Sequence, residues 1–125
     1  MTIAQAELDR TLVALSDGTR RAILQRLLKG EARVTEIAKP FAISLNSVSK
    51  HIRVLERAEL VRRRRVGREH ILSFNPAPLD AAAEWMRSQR ALWTARLVTL
   101  DEMLRAEDSA TPTTRRGRRR KGKSA

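Results

Sequence analysis

Between Ser44 and Phe74 the chain reads SLNSVSKHIRVLERAELVRRRRVGREHILSF, where hydrogen-bonding and cationic side chains are interleaved with apolar ones. Val48, Ile52 and Leu55 recur at i, i+4 and i+7, the spacing of one buried stripe on a helix. With that stripe turned inward, Asn46, Lys50 and Arg53 point away from it and Ser47 and Ser49 lie on its shoulders. These side chains match the edges of base pairs. Arginine and lysine donate to guanine O6 and N7, asparagine pairs with adenine N6 and N7, and serine bonds to bases or phosphates. His51 falls at the margin of the stripe and is expected to hydrogen-bond a phosphate or neighbouring backbone. No cysteine, histidine or acid pair stands at ligand spacing near it, so no metal role is expected.

The cationic run that follows, Arg62, Arg63, Arg64, Arg65 and Arg68, is centred on Val66-Gly67-Arg68, and Gly67 can take the positive φ of a tight hairpin. Successive side chains of a strand point to opposite faces, so these arginines cannot act together. Arg68 at the tip and one alternating pair are expected to meet the DNA backbone or minor groove, and the others to lie along the core edge or pair with Glu69. Arg63, Arg65 and Arg68 stand as the wing candidates; strand alternation alone leaves the choice of pair open.

The elements that must hold this region follow from hydrophobic spacing. Leu8, Leu12 and Leu15 form one stripe of a first helix; Asp17 can cap a second helix beginning near Thr19, with Ile23, Leu24, Leu27 and Leu28 as its apolar face and Gly30 as its stop. A short third helix from about Thr35 ends at Pro40, and Phe41 is placed to close the turn over the core. Ser44 caps the fourth helix, expected over 45–58, and strands are expected over 60–66 and 69–74. Pro76 and Pro78 bracket the start of a final helix over 79–106. On it Trp85 or Met86, then Gln89, Trp93, Leu97, Leu100 and Leu104 fall on one side, and about 27 residues span about 40 Å, more than a domain of this size can bury. Part of that stripe is therefore expected to meet a second copy. The expected fold is mainly α with a small β-hairpin, a winged helix-turn-helix in the order α-α-α-α-β-β-α, and dimeric.

Charge and composition narrow the partner. The 125 residues carry 26 basic and 14 acidic side chains, a formal net charge of +12 with a sequence pI near 11.6. Residues 109–125 hold seven basic and no acidic side chains, so removing their seven charges from +12 leaves +5 on residues 1–108. The expected organisation is a DNA-binding and dimerisation domain at 1–108 and a disordered, non-specific basic tail at 109–125. A field of this sign favours a polyanion. Single-stranded nucleic acid is less favoured than double-stranded DNA, because two tryptophans and two phenylalanines, all in apolar patterns, leave few platforms for unstacked bases. There is no cysteine, which excludes disulfides, thiol catalysis and thiolate metal sites. No membrane-length apolar run or signal peptide is evident, and a cytoplasmic protein without cofactor or catalytic activity is expected.

The segments ALSDGTRRAILQRLL at 14–28, ISLNSVSKHIRVLERAELV at 43–61 and RRRRVGREHILSF at 62–74 together resemble the ArsR-type winged-helix repressors of bacteria. The resemblance covers about residues 8 to 104. It implies a homodimer formed through the first and last helices, adding Leu8 and Leu12 to the dimer contact, and two recognition helices set on an inverted repeat in a promoter. It also implies that Asn46, Ser47, Ser49, Lys50, His51 and the wing-tip Arg68 face DNA. The cysteines and histidines with which the family's metal sensors bind their ions are missing from residues 34–40 and 79–106. Gly18 stands where the family usually has proline, Glu59 where it usually has glycine, and Glu69 where an aromatic or basic residue is more common. The expected function is thus a sequence-specific regulator of an inverted-repeat operator, the competing expectation being a chromosome-coating protein with little sequence preference.

Overall fold

A computed structural model describes residues 2–110; most of the basic tail, from residue 111 onward, lies outside the described residues. The helices are α1 (Ile3–Leu15), α2 (Gly18–Leu27), α3 (Val34–Ala38), α4 (Leu45–Arg57) and α5 (Ala77–Ala110), with strands β1 (Ala32–Arg33), β2 (Val61–Val66) and β3 (Glu69–Phe74). Residues up to Trp85 form one unit, and those from Met86 form a second.

Local chemistry sets most of these boundaries. Thr2 and Gln5 form a reciprocal cap that starts α1 five residues before its leucine stripe, the Thr2 hydroxyl accepting from the Gln5 N–H at 3.1 Å and the Gln5 Oε1 accepting from the Thr2 N–H at 2.9 Å. Asp17 caps α2 and Ser44 caps α4, as their positions imply, by accepting from the N–H groups of Arg20 and Ser47. Helix α3 starts one residue before Thr35, because the Glu36 carboxylate accepts from the backbone N–H of Arg33 at 3.0 Å. Helix α5 begins at Ala77 rather than Leu79. Pro78 does not hinder this, since a first-turn residue needs no intrahelical donor.

The expected hairpin is the larger part of a three-stranded antiparallel sheet in the order β1-β3-β2. Strand β1 pairs Ala32 with Leu72 and Arg33 with Ile71; its two residues are too short to show any periodicity in sequence. The element order is accordingly α-α-β-α-α-β-β-α. Gly67 turns the hairpin with φ 62°, the left-handed conformation expected of it.

The core contains Ile23, Leu24 and Leu27 of α2, Ile37 of α3, Val48, Ile52 and Leu55 of α4, Leu60, and Leu72 of β3, with Phe41 and Phe74 packed against it. Helix α4 ends in a left-handed turn of Schellman type. The Leu60 N–H donates to the Leu55 carbonyl at 3.0 Å and the Glu59 N–H to the Glu56 carbonyl at 2.9 Å, while Leu55 and Leu60 are both fully buried. The residue that must adopt positive φ there is Glu59, at 60°. Its carbonyl accepts from the Asn75 Nδ2 at 2.8 Å, and the Asn75 Oδ1 accepts from the Ala77 N–H at 3.4 Å, so one nearly buried amide joins the end of α4 to the start of α5. An L-residue in this conformation costs roughly 1–2 kcal/mol, part of which glycine gives back through a more flexible unfolded chain. Glu59→Gly is therefore expected to stabilise the fold by about 1 kcal/mol, read as a higher urea midpoint at unchanged m-value. An unchanged or lower midpoint would contradict this account of the turn.

Candidate nucleic-acid interface

Helix α4 has Val48, Ile52 and Leu55 fully buried, and this fixes what faces out. Asn46, Lys50 and Arg53 are exposed, whereas Ser47, Ser49 and His51 are half-buried. The Ser44 hydroxyl, besides capping the helix, lies 3.1 Å from the Ser47 hydroxyl, so the first turn presents an ordered pair of hydroxyls. Among the described residues, Lys50 and Arg53 have no carboxylate within ion-pair distance.

The sheet register divides the wing arginines. Arg63 and Arg65 lie opposite Leu72 and His70, on the face that carries Val61 and Phe74 toward the core; Arg62 and Arg64 lie opposite Ser73 and Ile71 on the other face. Arg63 is held by α4: its Nε and Nη2 donate to the two oxygens of Glu56 at 3.1 and 2.9 Å. The pair is about 30% exposed, and the Glu56 carboxylate raises the Arg63 pKa. Arg64 pairs with Glu31. Glu69, expected as a partner for the wing arginines, instead binds Arg33 at 2.8 Å, and Arg33 also binds Glu36 at 3.1 Å. These bonds raise the Arg33 pKa, and the Arg33 amide and guanidinium lower that of Glu36. Arg65, whose Nε donates to the Gly67 carbonyl at 2.9 Å, and Arg68 have no carboxylate partner among the described residues. Of the three wing candidates, Arg65 and Arg68 thus retain uncompensated charge and Arg63 does not.

Sequence spacing did not expose the role of Arg20. Its Nε and Nη2 donate to the carbonyls of Ala14 and Val13 at 2.9 and 3.0 Å, and Nη1 donates to His51 Nδ1 at 3.2 Å. Arg21 donates in the same way to the Leu15 carbonyl at 2.7 Å. A guanidinium has only donors, so His51 accepts through Nδ1 and its hydrogen resides on Nε2. Asp17 lies 3.7 Å from the same ring nitrogen. The backbone N–H of Arg20, with the Arg20 side chain adding to it, keeps the Asp17 carboxyl below its ordinary value. One signal for this cluster was available. Two arginines in the first turn of α2 oppose the helix dipole there, and they become favourable when they reach back to the carbonyl end of α1.

The dimer candidates fall in two groups. In the first unit, Leu8 and Leu12 on α1 are half-buried, while Trp85 is exposed. In the second unit, Trp93, Leu97, Leu100 and Leu104 of α5 are between 48 and 63% exposed, together with Leu92, Val98 and Met103. Among the described residues no group of three or more His, Asp or Glu side chains is placed to hold a metal ion, and no helix is long and apolar enough to cross a membrane.

Residues 15–64 match the family described as a helix-turn-helix domain. The HTH-type transcriptional regulator Rv2034 of Mycobacterium tuberculosis is 35% identical over 82% of this chain and 94% of its own length. The chain belongs to the ArsR-type winged helix-turn-helix family of transcriptional regulators. The structure agrees with an ArsR-like transcriptional regulator from Rhodococcus sp. RHA1 at a TM-score of 0.71, with 30% identity, over 79% of this chain and 93% of that one. The transcriptional repressor SdpR of Bacillus subtilis is 38% identical over 58% of this chain and 81% of its own length. This ArsR-type chain has Glu59 where the family usually has glycine, and it keeps the left-handed turn despite the side chain.

Removing the Arg20 guanidinium takes the side-chain donor from the Ala14 carbonyl and from His51, while the Val13 carbonyl keeps the Ser16 N–H and hydroxyl. Arg20→Met is expected to destabilise the fold by about 1–3 kcal/mol, measured by urea unfolding. His51→Ala removes one of the three bonds and is expected to cost less than Arg20→Met; the reverse order would count against the Arg20-centred account.

Proposed function

We propose that this protein is a homodimeric, sequence-specific repressor that sets α4 in the major groove of double-stranded DNA and the wing on the adjacent backbone. The observation that carries this reading is the distribution of unpaired charge. Glutamates neutralise Arg33, Arg63 and Arg64, whereas Lys50 and Arg53 on α4, and Arg65 and Arg68 at the hairpin tip, are uncompensated among the described residues. Asn46, Lys50 and Arg53 read base edges; Ser47, Ser49 and the His51 Nε2–H bond to phosphate or base; Arg65 and Arg68 hold the backbone. Arg63 acts through Glu56, holding the wing at a set angle to α4. The repressor works in the cytoplasm, and no catalytic step or cofactor is assigned to it.

The dimer reading rests on the apolar side chains of α5 beyond Met86, exposed on a helix too long for one small domain to cover, together with Leu8 and Leu12 on α1. A two-fold dimer presents two α4 helices to an inverted repeat whose half-sites lie about one helical turn apart. The seven basic residues between Arg115 and Lys123 add sequence-independent attraction, and they are the feature that favours the competing reading of a low-specificity coating protein.

Fluorescence anisotropy with the duplex upstream of this protein's own gene, beside a shuffled duplex, tests the reading at about 50 and 200 mM salt. Lys50→Ala and Arg53→Ala are each expected to cost about 1–3 kcal/mol of preference for the promoter, whereas Arg68→Ala weakens both duplexes alike and lowers the salt slope by about one. A promoter preference below about tenfold in the wild-type chain would favour the coating reading. Leu97→Glu combined with Leu100→Glu is expected to yield monomers in sedimentation velocity and to abolish tight binding to the two-half-site duplex. Retention of the dimer by that double variant would place the interface elsewhere.

A further inference from the structure

Within the first unit, α1, the end of α4, the root of the wing and the start of α5 surround a groove of about 450 Å³. Its apolar wall is formed by Ala4 and Leu8 of α1 and Ala81, Ala82 and Trp85 of α5. The charged groups along it are Arg10, Arg57 and Arg62, together with Glu7 and Glu59. None of these five side chains forms an ion pair among the described residues, in contrast to the neutralised arginines Arg33, Arg63 and Arg64. The groove therefore holds three unpaired guanidiniums against two carboxylates. Its volume lies within the range of small-ligand sites, which combine apolar walls with a few convergent polar groups.

We propose that this groove is a regulatory site for a small amphipathic organic anion, its apolar body against Trp85, Ala81 and Ala4 and its acid group on Arg57 and Arg62. A guanidinium presents parallel donors to a carboxylate, a geometry that gives such a pair both strength and orientation. The groove's position supplies the regulation, a step that rests on the repressor reading above. Arg57 is the last residue of α4, Glu59 is the left-handed residue of its terminal turn, and Arg62 and Asn75 lie at the roots of the two wing strands. An anion drawing Arg57 and Arg62 together acts on the end of the recognition helix and on the base of the wing at once. By linkage, whatever that occupancy does to DNA affinity, DNA does to anion affinity by the same factor.

Isothermal titration calorimetry on the full chain, with benzoate, 1-naphthoate and octanoate as probes and 1-naphthamide as the neutral match, tests the site without DNA. At least one of the anions is expected to bind once per chain, at least tenfold more tightly than the amide if 1-naphthoate is that anion. Arg57→Gln and Arg62→Gln should each weaken it about tenfold, and Ala81→Leu, which fills the groove, should abolish it with the sedimentation coefficient unchanged. No saturable binding by any of the three anions up to millimolar concentration would overturn the proposal. So would binding that neither arginine substitution alters, or a change of oligomeric state in Ala81→Leu, which would assign the groove to a second copy. A bound anion is further expected to change promoter affinity at least fivefold. Binding in the groove with unchanged promoter affinity would overturn its regulatory role, whereas absence of promoter preference in the anion-free protein would count against the repressor reading alone.

Discussion

Burial of Val48, Ile52 and Leu55 sets the rotation of α4 about its own axis, and the candidate interface depends on that rotation. All three side chains are fully buried among Ile23, Ile37, Leu60 and Leu72, so turning the helix would expose apolar surface worth about 1.5–3 kcal/mol per side chain. The polar face needs no contact of its own to be presented outward; it is what remains when the stripe is satisfied. The caps reinforce the same placement. Ser44 fixes where the helix begins, and the buried Leu55–Leu60 contact in the left-handed turn fixes where it stops and the wing departs.

Electrostatics then sorts a chain with a large excess of arginine into structural and free charges. Ion pairs exposed to solvent contribute little to stability, commonly about 0–1 kcal/mol each. Their larger effect here is allocation. Glu56 joins Arg63 to α4, Glu31 occupies Arg64, and Glu36 and Glu69 share Arg33, leaving net positive charge on the outward side of α4 and at the hairpin tip. Arg20 performs a different task with the same chemistry. Its guanidinium satisfies carbonyls at the end of α1 and fixes the tautomer of His51 on α4, so a cation that would oppose the dipole of its own helix stabilises the junction of three helices.

Two features place this chain apart from an idealised backbone. Glu59 holds a positive φ that glycine would accept without strain, and the Asn75 amide ties that residue's carbonyl to the entrance of α5. The second unit leaves large apolar side chains, Trp93 among them, open along the helix. Each marks a place where the stability of the isolated chain is not the quantity optimised, in keeping with strain and exposed apolar surface being retained where partners or ligands act.

The sequence by itself determined the four helices around the core, the caps at Asp17 and Ser44, the Gly67 turn and the outward set Asn46, Lys50 and Arg53. These depend on neighbours three or four residues apart, or on one residue's own backbone preference, and they survive without knowledge of the fold. The family resemblance of residues 14–74 was legible for the same reason, because its motifs lie at those local positions. Tertiary structure alone decided which arginines are free. Arg20 meets His51 across 31 positions, Arg64 meets Glu31 across 33 and Arg33 meets Glu69 across 36. Strand β1 exists only because Leu72 and Ile71 pass beside it, and the groove exists only because α1, the end of α4 and the start of α5 converge. Pairing over such distances is set by how the buried stripes pack, and no local pattern in the chain encodes which of two chemically identical arginines will find a glutamate.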